Sequence, residues 1–207
     1  MFKIIEPVLN NLEYIKYKEI KNKEKIEYYS ISNEIIKLDK NVEIKNSKFS
    51  GVVFEEVDIK FTNIEEVEFI DCDLSNVSFS DTSLYKVKFK NCKLFGMNIV
   101  DCNFNNVIID ESMCNLINIV NLTLTNSKLI NSSFKESRFV TCNFKNIIIE
   151  DNNFYKSIFI KTSLKDIDIS NNNISEINID LDSIKGSTIS FIQTMDLIGL
   201  LEVKIKD

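Results

Sequence analysis

DCDLSNVSFSDTSLYKVKFKNCKLF, residues Asp71–Phe95, carries Leu74, Phe79, Leu84, Phe89 and Leu94 at every fifth place. An α-helix repeats its faces every 3.6 residues and a strand every 2, so neither accounts for a strict period of five. Continued backwards, the series gives Ile44, Phe49, Phe54, Ile59, Ile64 and Phe69; continued forwards, it reaches Ile189. All 30 places are apolar, and only Cys114 is not Phe, Leu or Ile. At the chain's 44% apolar background the chance of such a run is on the order of 10^-11.

The place two residues before each central one is restricted as well: Val52, Val57, Thr62, Val67, Cys72, Val77, Thr82, Val87, Cys92, Met97, Cys102, Val107. The remaining three places in each five carry Asp, Asn, Lys, Ser and Glu. A chain that buries two residues in five and exposes three must wind around an axis, as a solenoid whose units bury their apolar faces by stacking.

Units such as CDLSN, VSFSD, TSLYK, VKFKN and CKLFG resemble those of the pentapeptide repeat proteins, and the resemblance covers about residues 44–190 without a break in register. It implies an all-β solenoid, a right-handed quadrilateral β-helix in which four units make one square coil. Residues 20 apart then lie above one another: Cys72 on Cys92, Thr62 on Thr82, Asn152 on Asn172. From Phe49 to Ile189 there are 29 units, about seven coils, or roughly 34 Å of rod.

Three regions follow. Residues 44–189 form the repeat. Residues 1–43 show no period of five and are read as a cap on the first coil. Residues 190–207 leave the period: Ser190 is a candidate N-cap, and Phe191, Met195, Leu197, Ile198 and Leu201 form an apolar helical stripe. Val203 and Ile205 then alternate as a short strand. This end resembles the C-terminal helix of the family's topoisomerase-binding members, matching at Gln193, Leu197, Leu200, Leu201 and Ile205, which implies a homodimer.

The chemistry for catalysis is sparse. The chain has no His, which excludes Ser–His and Cys–His nucleophile pairs and imidazole-bound zinc. The five Cys follow the repeat, not a metal-binding spacing, and read as small buried hydrophobes. Gly51, Gly96, Gly186 and Gly199 are isolated, so no phosphate loop is present. No catalytic residue, metal site or cofactor is expected. No signal peptide and no apolar run long enough to span a membrane appears, and the reading is a reduced, cytoplasmic chain whose Lys-, Ile- and Asn-rich composition suits an AT-rich bacterial genome.

Charge is the remaining signal. Eight acids, Glu55, Glu56, Asp58, Glu65, Glu66, Glu68, Asp71 and Asp73, cluster against Lys60 alone. The net charge of −6 argues against nucleic acid as partner. The family resemblance implies a DNA-like rod that binds DNA gyrase or topoisomerase IV and in some members protects it from quinolones; that acidic belt is its candidate binding surface. Residues 51–190 hold 20 acids and 13 bases, a net of −7, whereas ~34 Å of B-DNA carries about 20 negative charges. A scaffold for some other protein partner is the competing expectation.

Overall fold

A computed structural model of the chain describes residues 2–38 and 42–201. Within them the chain winds into a four-sided parallel β-solenoid of about eight coils. Two adjacent sides share the long strands Glu43–Ser50, Asn63–Ile70, Ser83–Lys90, Asn103–Asp110, Thr123–Ile130 and Asn143–Glu150, which pair in parallel with a register of 20 residues per coil. A third side is a ladder of single bridges, Val53 to Asp73 to Lys93 and onward to Asn173. The fourth carries short strands from Asp58–Lys60 to Asn178–Ile179.

Each central Leu, Ile or Phe of the period points into the rod. All are buried except Phe144, Ile184 and Ile189, which pack against the core from its edge. Stacking by whole coils sets like on like: the rings of Phe49, Phe69 and Phe89 lie nearly parallel at 5.2 and 4.9 Å, and Phe139 stacks on Phe159 at 4.5 Å. Those spacings match the ~4.8 Å between neighbouring strands, so one ring per coil fills the axis without a gap.

Corners explain the abundance of Asn. The residue two after each central one has a positive φ at almost every unit, for example Asn76 (60°), Asn91 (51°), Asn121 (54°) and Asn131 (50°). Such a residue lets the chain turn a tight corner onto the next side, as in Leu74–Val77, where the Val77 N–H donates to the Leu74 carbonyl. Asn and Asp tolerate this left-handed backbone better than other residues with a Cβ. Gly96 (φ 65°) needs more than that freedom, because a Cβ there would come within 2.7 Å of Asn76 Oδ1 one coil away.

The small inward place has a second duty beyond fitting. Where it is Ser, Thr or Asn, its side chain carries a buried polar ladder across the coils. The N–H of Cys92 donates to Ser112 Oγ, that of Ser112 to Ser132 Oγ, that of Ser132 to Asn152 Oδ1 and that of Asn152 to Asn172 Oδ1, all at 2.9–3.1 Å. In return, Asn152 Nδ2 donates to the Leu129 carbonyl and Asn172 Nδ2 to that of Ile149. The ladder gives partners to backbone groups that the bridge side would otherwise bury unpaired.

The N-terminal boundary differs from the expected one at residue 44. Ile26, Ile31 and Ile36 keep the spacing of five, are buried to 1% exposure or less, and pair with Ile44, Phe49 and Phe54. That coil is 18 residues long instead of 20. Stepping back from Ile44 in fives therefore lands on Asp39, Glu34 and Tyr29, which hides the earlier units. Glu13–Tyr14 adds one more parallel pair on Tyr29–Ser30, and residues 2–12 lie outside the strands.

Candidate interaction surfaces

Six of the eight acids of the belt lie close to lysines on the same and neighbouring coils. Glu55 pairs with Lys37 (3.0 Å), Asp58 with Lys60 (2.6 Å), Glu65 with Lys45 (3.4 Å), Glu68 with Lys48 (3.3 Å) and Asp73 with Lys93 (3.1 Å). Glu66 meets Lys86, and Asp71 accepts from Asn91 Nδ2 at 2.6 Å. Of the eight, Glu56 alone has no ion pair or side-chain hydrogen bond among the described residues, and it is exposed at a left-handed corner. All these ion pairs except Asp58–Lys60 join neighbouring coils, because lysines sit 18 or 20 residues from the acids and the winding brings them level. Exposed pairs of this kind add roughly 0–1 kcal/mol each to stability. Their larger effect is on the field: a belt of eight acids becomes a near-neutral ladder.

Asp73 illustrates the local electrostatics. Partial burial alone would raise its carboxyl, but the N–H of Ser75, which donates to Oδ1 at 2.9 Å, and the ammonium of Lys93 outweigh it and hold the group below the usual carboxylate range. The five cysteines lie in the core, where Cys72 and Cys92 donate to backbone carbonyls. Burial raises the thiols of Cys102, Cys114 and Cys142, while Cys92 is raised first by its stacked neighbour Cys72 and then by burial.

On the bridge side, corner and ladder residues border a polar groove of about 820 Å³ that includes Asn91, Lys93, Asn131, Asp151 and Asn173. Asp71–Asn91 and Asn153–Asn173 hydrogen bonds tie its walls coil to coil. Its lining contains no group of three or more His, Cys, Asp or Glu arranged to hold a metal among the described residues. No described helix is long and apolar enough to cross a membrane.

The C-terminal end is apolar. Asp180 caps the turn Leu181–Ile184 by accepting from the N–H and hydroxyl of Ser183, and it also accepts from the Lys161 N–H. Burial alone would raise this carboxyl; those donors hold it below its ordinary value. Ser190 and Gln193 then bond reciprocally, and helical geometry begins at Thr194. Gln193 Nε2 donates to the carbonyls of Ile169 (2.9 Å) and Asn172 (2.7 Å), which closes the buried polar ladder.

The residues expected at a dimer interface divide here. Leu197 turns inward and joins the core, and Ile198 is half-buried. Phe191 (90% exposed) and Met195 (68%) face outward, together with Ile192 (79%), which the helical stripe had left out. The side chain of Leu201 and residues Val203 and Ile205 lie outside the described region. A separate groove of about 370 Å³ lies between Leu181, Ile184, Ile189, Leu197 and Leu200.

Sequence comparison agrees with the winding. Residues 42–112 match the family model described as the pentapeptide repeat region. No curated protein matches the chain. Among solved structures, a trypsin-treated form of QnrB1, a plasmid-mediated fluoroquinolone resistance protein, is similar at 16% identity and a TM-score of 0.38, over 88% of this chain and 99% of that one. HetL, a pentapeptide repeat protein involved in heterocyst differentiation regulation from the cyanobacterium Nostoc sp. strain PCC 7120, is similar at 10% identity and a TM-score of 0.38, over 80% and 85%. Those values are too low to add to the fold, which rests on the strands. The matched segment has the pentapeptide repeat pattern, and the same five-residue register carries on from it to Ile189.

Proposed function

We propose that the chain is a non-enzymatic protein-binding rod that associates with a second copy through its C-terminal end. The observation that carries the reading is that Phe191, Ile192 and Met195, three apolar side chains within five residues, are all exposed at the C-terminal end. Contiguous exposed apolar surface of this kind marks a protein contact. A rod with neighbouring coils bound by ion pairs and amide ladders offers rigid, repetitive side faces to a further partner.

The partner that the family resemblance supplies is a type II topoisomerase such as DNA gyrase. A supercoiling assay with purified gyrase, with and without a quinolone, tests it: inhibition or protection at micromolar protein supports the reading, and neither effect removes gyrase as the partner. The pairing of six of the eight belt acids with lysines favours the broader alternative, a scaffold for a different protein. A DNA-like surface needs uncompensated carboxylates, and at −7 over residues 51–190 the rod has about a third of the ~20 charges of B-DNA of equal length. Capture from lysate, scored for gyrase subunits against other proteins, separates the two.

A further inference from the structure

Residues Phe2–Leu12 form an extended arm that lies on the outside of the rod. The Val8 N–H donates to Glu66 Oε2 (2.9 Å), Glu6 Oε2 meets Lys88 Nζ (2.8 Å), and the Ile5 N–H donates to Asn106 Oδ1 (2.8 Å). Glu66, Lys88 and Asn106 sit on three successive coils. From Val8 to Ile5 an extended chain spans about 10 Å, and two coil rises cover about 9.6 Å. The arm therefore climbs parallel to the rod axis, across the strands, and its backbone is met by side chains.

The surface beneath the arm is unlike the rest of its columns. Ile108 and Asn106 point outward, yet they are only 4% and 5% exposed, and Ile108 lies outside the contiguous core cluster. One coil before and after Ile108 the same place holds Lys88 and Lys128, which suit water. Among the described residues the arm is held by three polar contacts and the half-buried Ile4, Pro7 and Leu9, while Phe2, Ile5 and Val8 remain exposed. The Glu6 carboxylate holds the Lys88 ammonium above the usual lysine range.

We propose that the outer face formed by Glu66, Lys86, Lys88, Asn106 and Ile108 is a docking site for an extended protein segment with an acidic side chain between aliphatic ones, and that the N-terminal arm occupies it as a displaceable, autoinhibitory strap. The chemistry of that partner segment is read from the arm now seated there. Lys88 receives the acid, Glu66 and Asn106 accept two backbone N–H groups three residues apart, and Ile108 supplies an apolar floor. The inference rests on the reading of the chain as a protein-binding rod. Because the strap is tethered, its effective concentration is in the millimolar range, and a partner must exceed it or bind more surface.

The test uses the full chain and a fluorescently labelled peptide, FKIIEPVLNN, equivalent to residues 2–11. Ile5→Pro and Val8→Pro remove the two N–H donors and Glu6→Lys opposes Lys88; all three changes lie in the arm, outside the coils. This released variant should bind the peptide at least tenfold tighter than the unaltered chain does, and adding Lys88→Glu with Asn106→Ala should abolish the gain. In the unaltered chain the Ile5 and Val8 amides should exchange hydrogen more slowly than those of Lys3 and Asn10. Equal peptide binding by the released and unaltered chains, or free exchange at Ile5 and Val8, overturns the proposal. So does a gain that appears only as concentration-dependent association of the released variant, which would assign the face to a second copy. None of these failures touches the C-terminal contact or capture of a partner from lysate, which are read separately.

Discussion

At the N-terminal end the stack runs out gradually, through an 18-residue coil, one further strand pair and an arm folded back along the rod. At the C-terminal end it stops within a few residues: Gln193 closes the polar ladder, Leu197 plugs the axis, and Phe191, Ile192 and Met195 are left in water. Both solutions meet the same hazard, since an open coil offers unpaired backbone and bare core to other chains. The first spends sequence on self-coverage. The second leaves apolar surface for another molecule to cover. The difference teaches that an end of a solenoid can serve as a seal or as a joint, according to where its last apolar side chains point.

Substitutions can break this contrast. Ile31→Ala should cost about 3 kcal/mol in chemical denaturation, as for a large-to-small change in a packed core. A cost below about 1 kcal/mol would show the first coil to be a loose lid. Replacing Phe191, Ile192 and Met195 together by Ser should weaken self-association at least 100-fold, about 2.8 kcal/mol, while leaving the melting temperature nearly unchanged. Light scattering that finds the unaltered chain monomeric would remove the joint from the comparison.

Gln193→Ala should cost about 2 kcal/mol, because two buried carbonyls lose their donor; an unchanged denaturation midpoint would mean that water replaces the amide. Asp180→Ala should cost about 1 kcal/mol at neutral pH through the lost cap. The Asp180 carboxyl is held below its ordinary value, so its contribution is present above an unfolded pKa of about 3.9 and fades as pH falls through the lower folded one. Melting curves of the unaltered and Asp180→Ala chains should therefore converge in acid. A gap that persists there would assign the effect to packing.

Much of the rod was legible because its rules are local. A central Leu or Phe, a small residue two places earlier and Asn or Asp two places later each satisfy one unit's packing or turn, and repetition makes the pattern visible. The ion-pair ladder was legible in part: once residues 20 apart are known to stack, Lys93 over Asp73 and Lys48 beside Glu68 follow. Summing the charges of the belt concealed it. The units at Ile26, Ile31 and Ile36 were hidden by a coil two residues short, which changes the phase without changing the spacing. Gln193 carried a family match but no hint that its amide would reach the carbonyls of Ile169 and Asn172.

The sequence by itself determined the period, the inward places and the location of the acidic belt, because a solenoid repeats one short-range problem; the four-unit coil came with the family resemblance. Tertiary structure decided what that belt is worth, which way Leu197 and Phe191 face, and where the N-terminal arm rests. Those outcomes depend on partners far away in the chain: the arm's contacts join residues separated by 58, 82 and 101 positions. Only the winding of the coils brings such groups within hydrogen-bond reach.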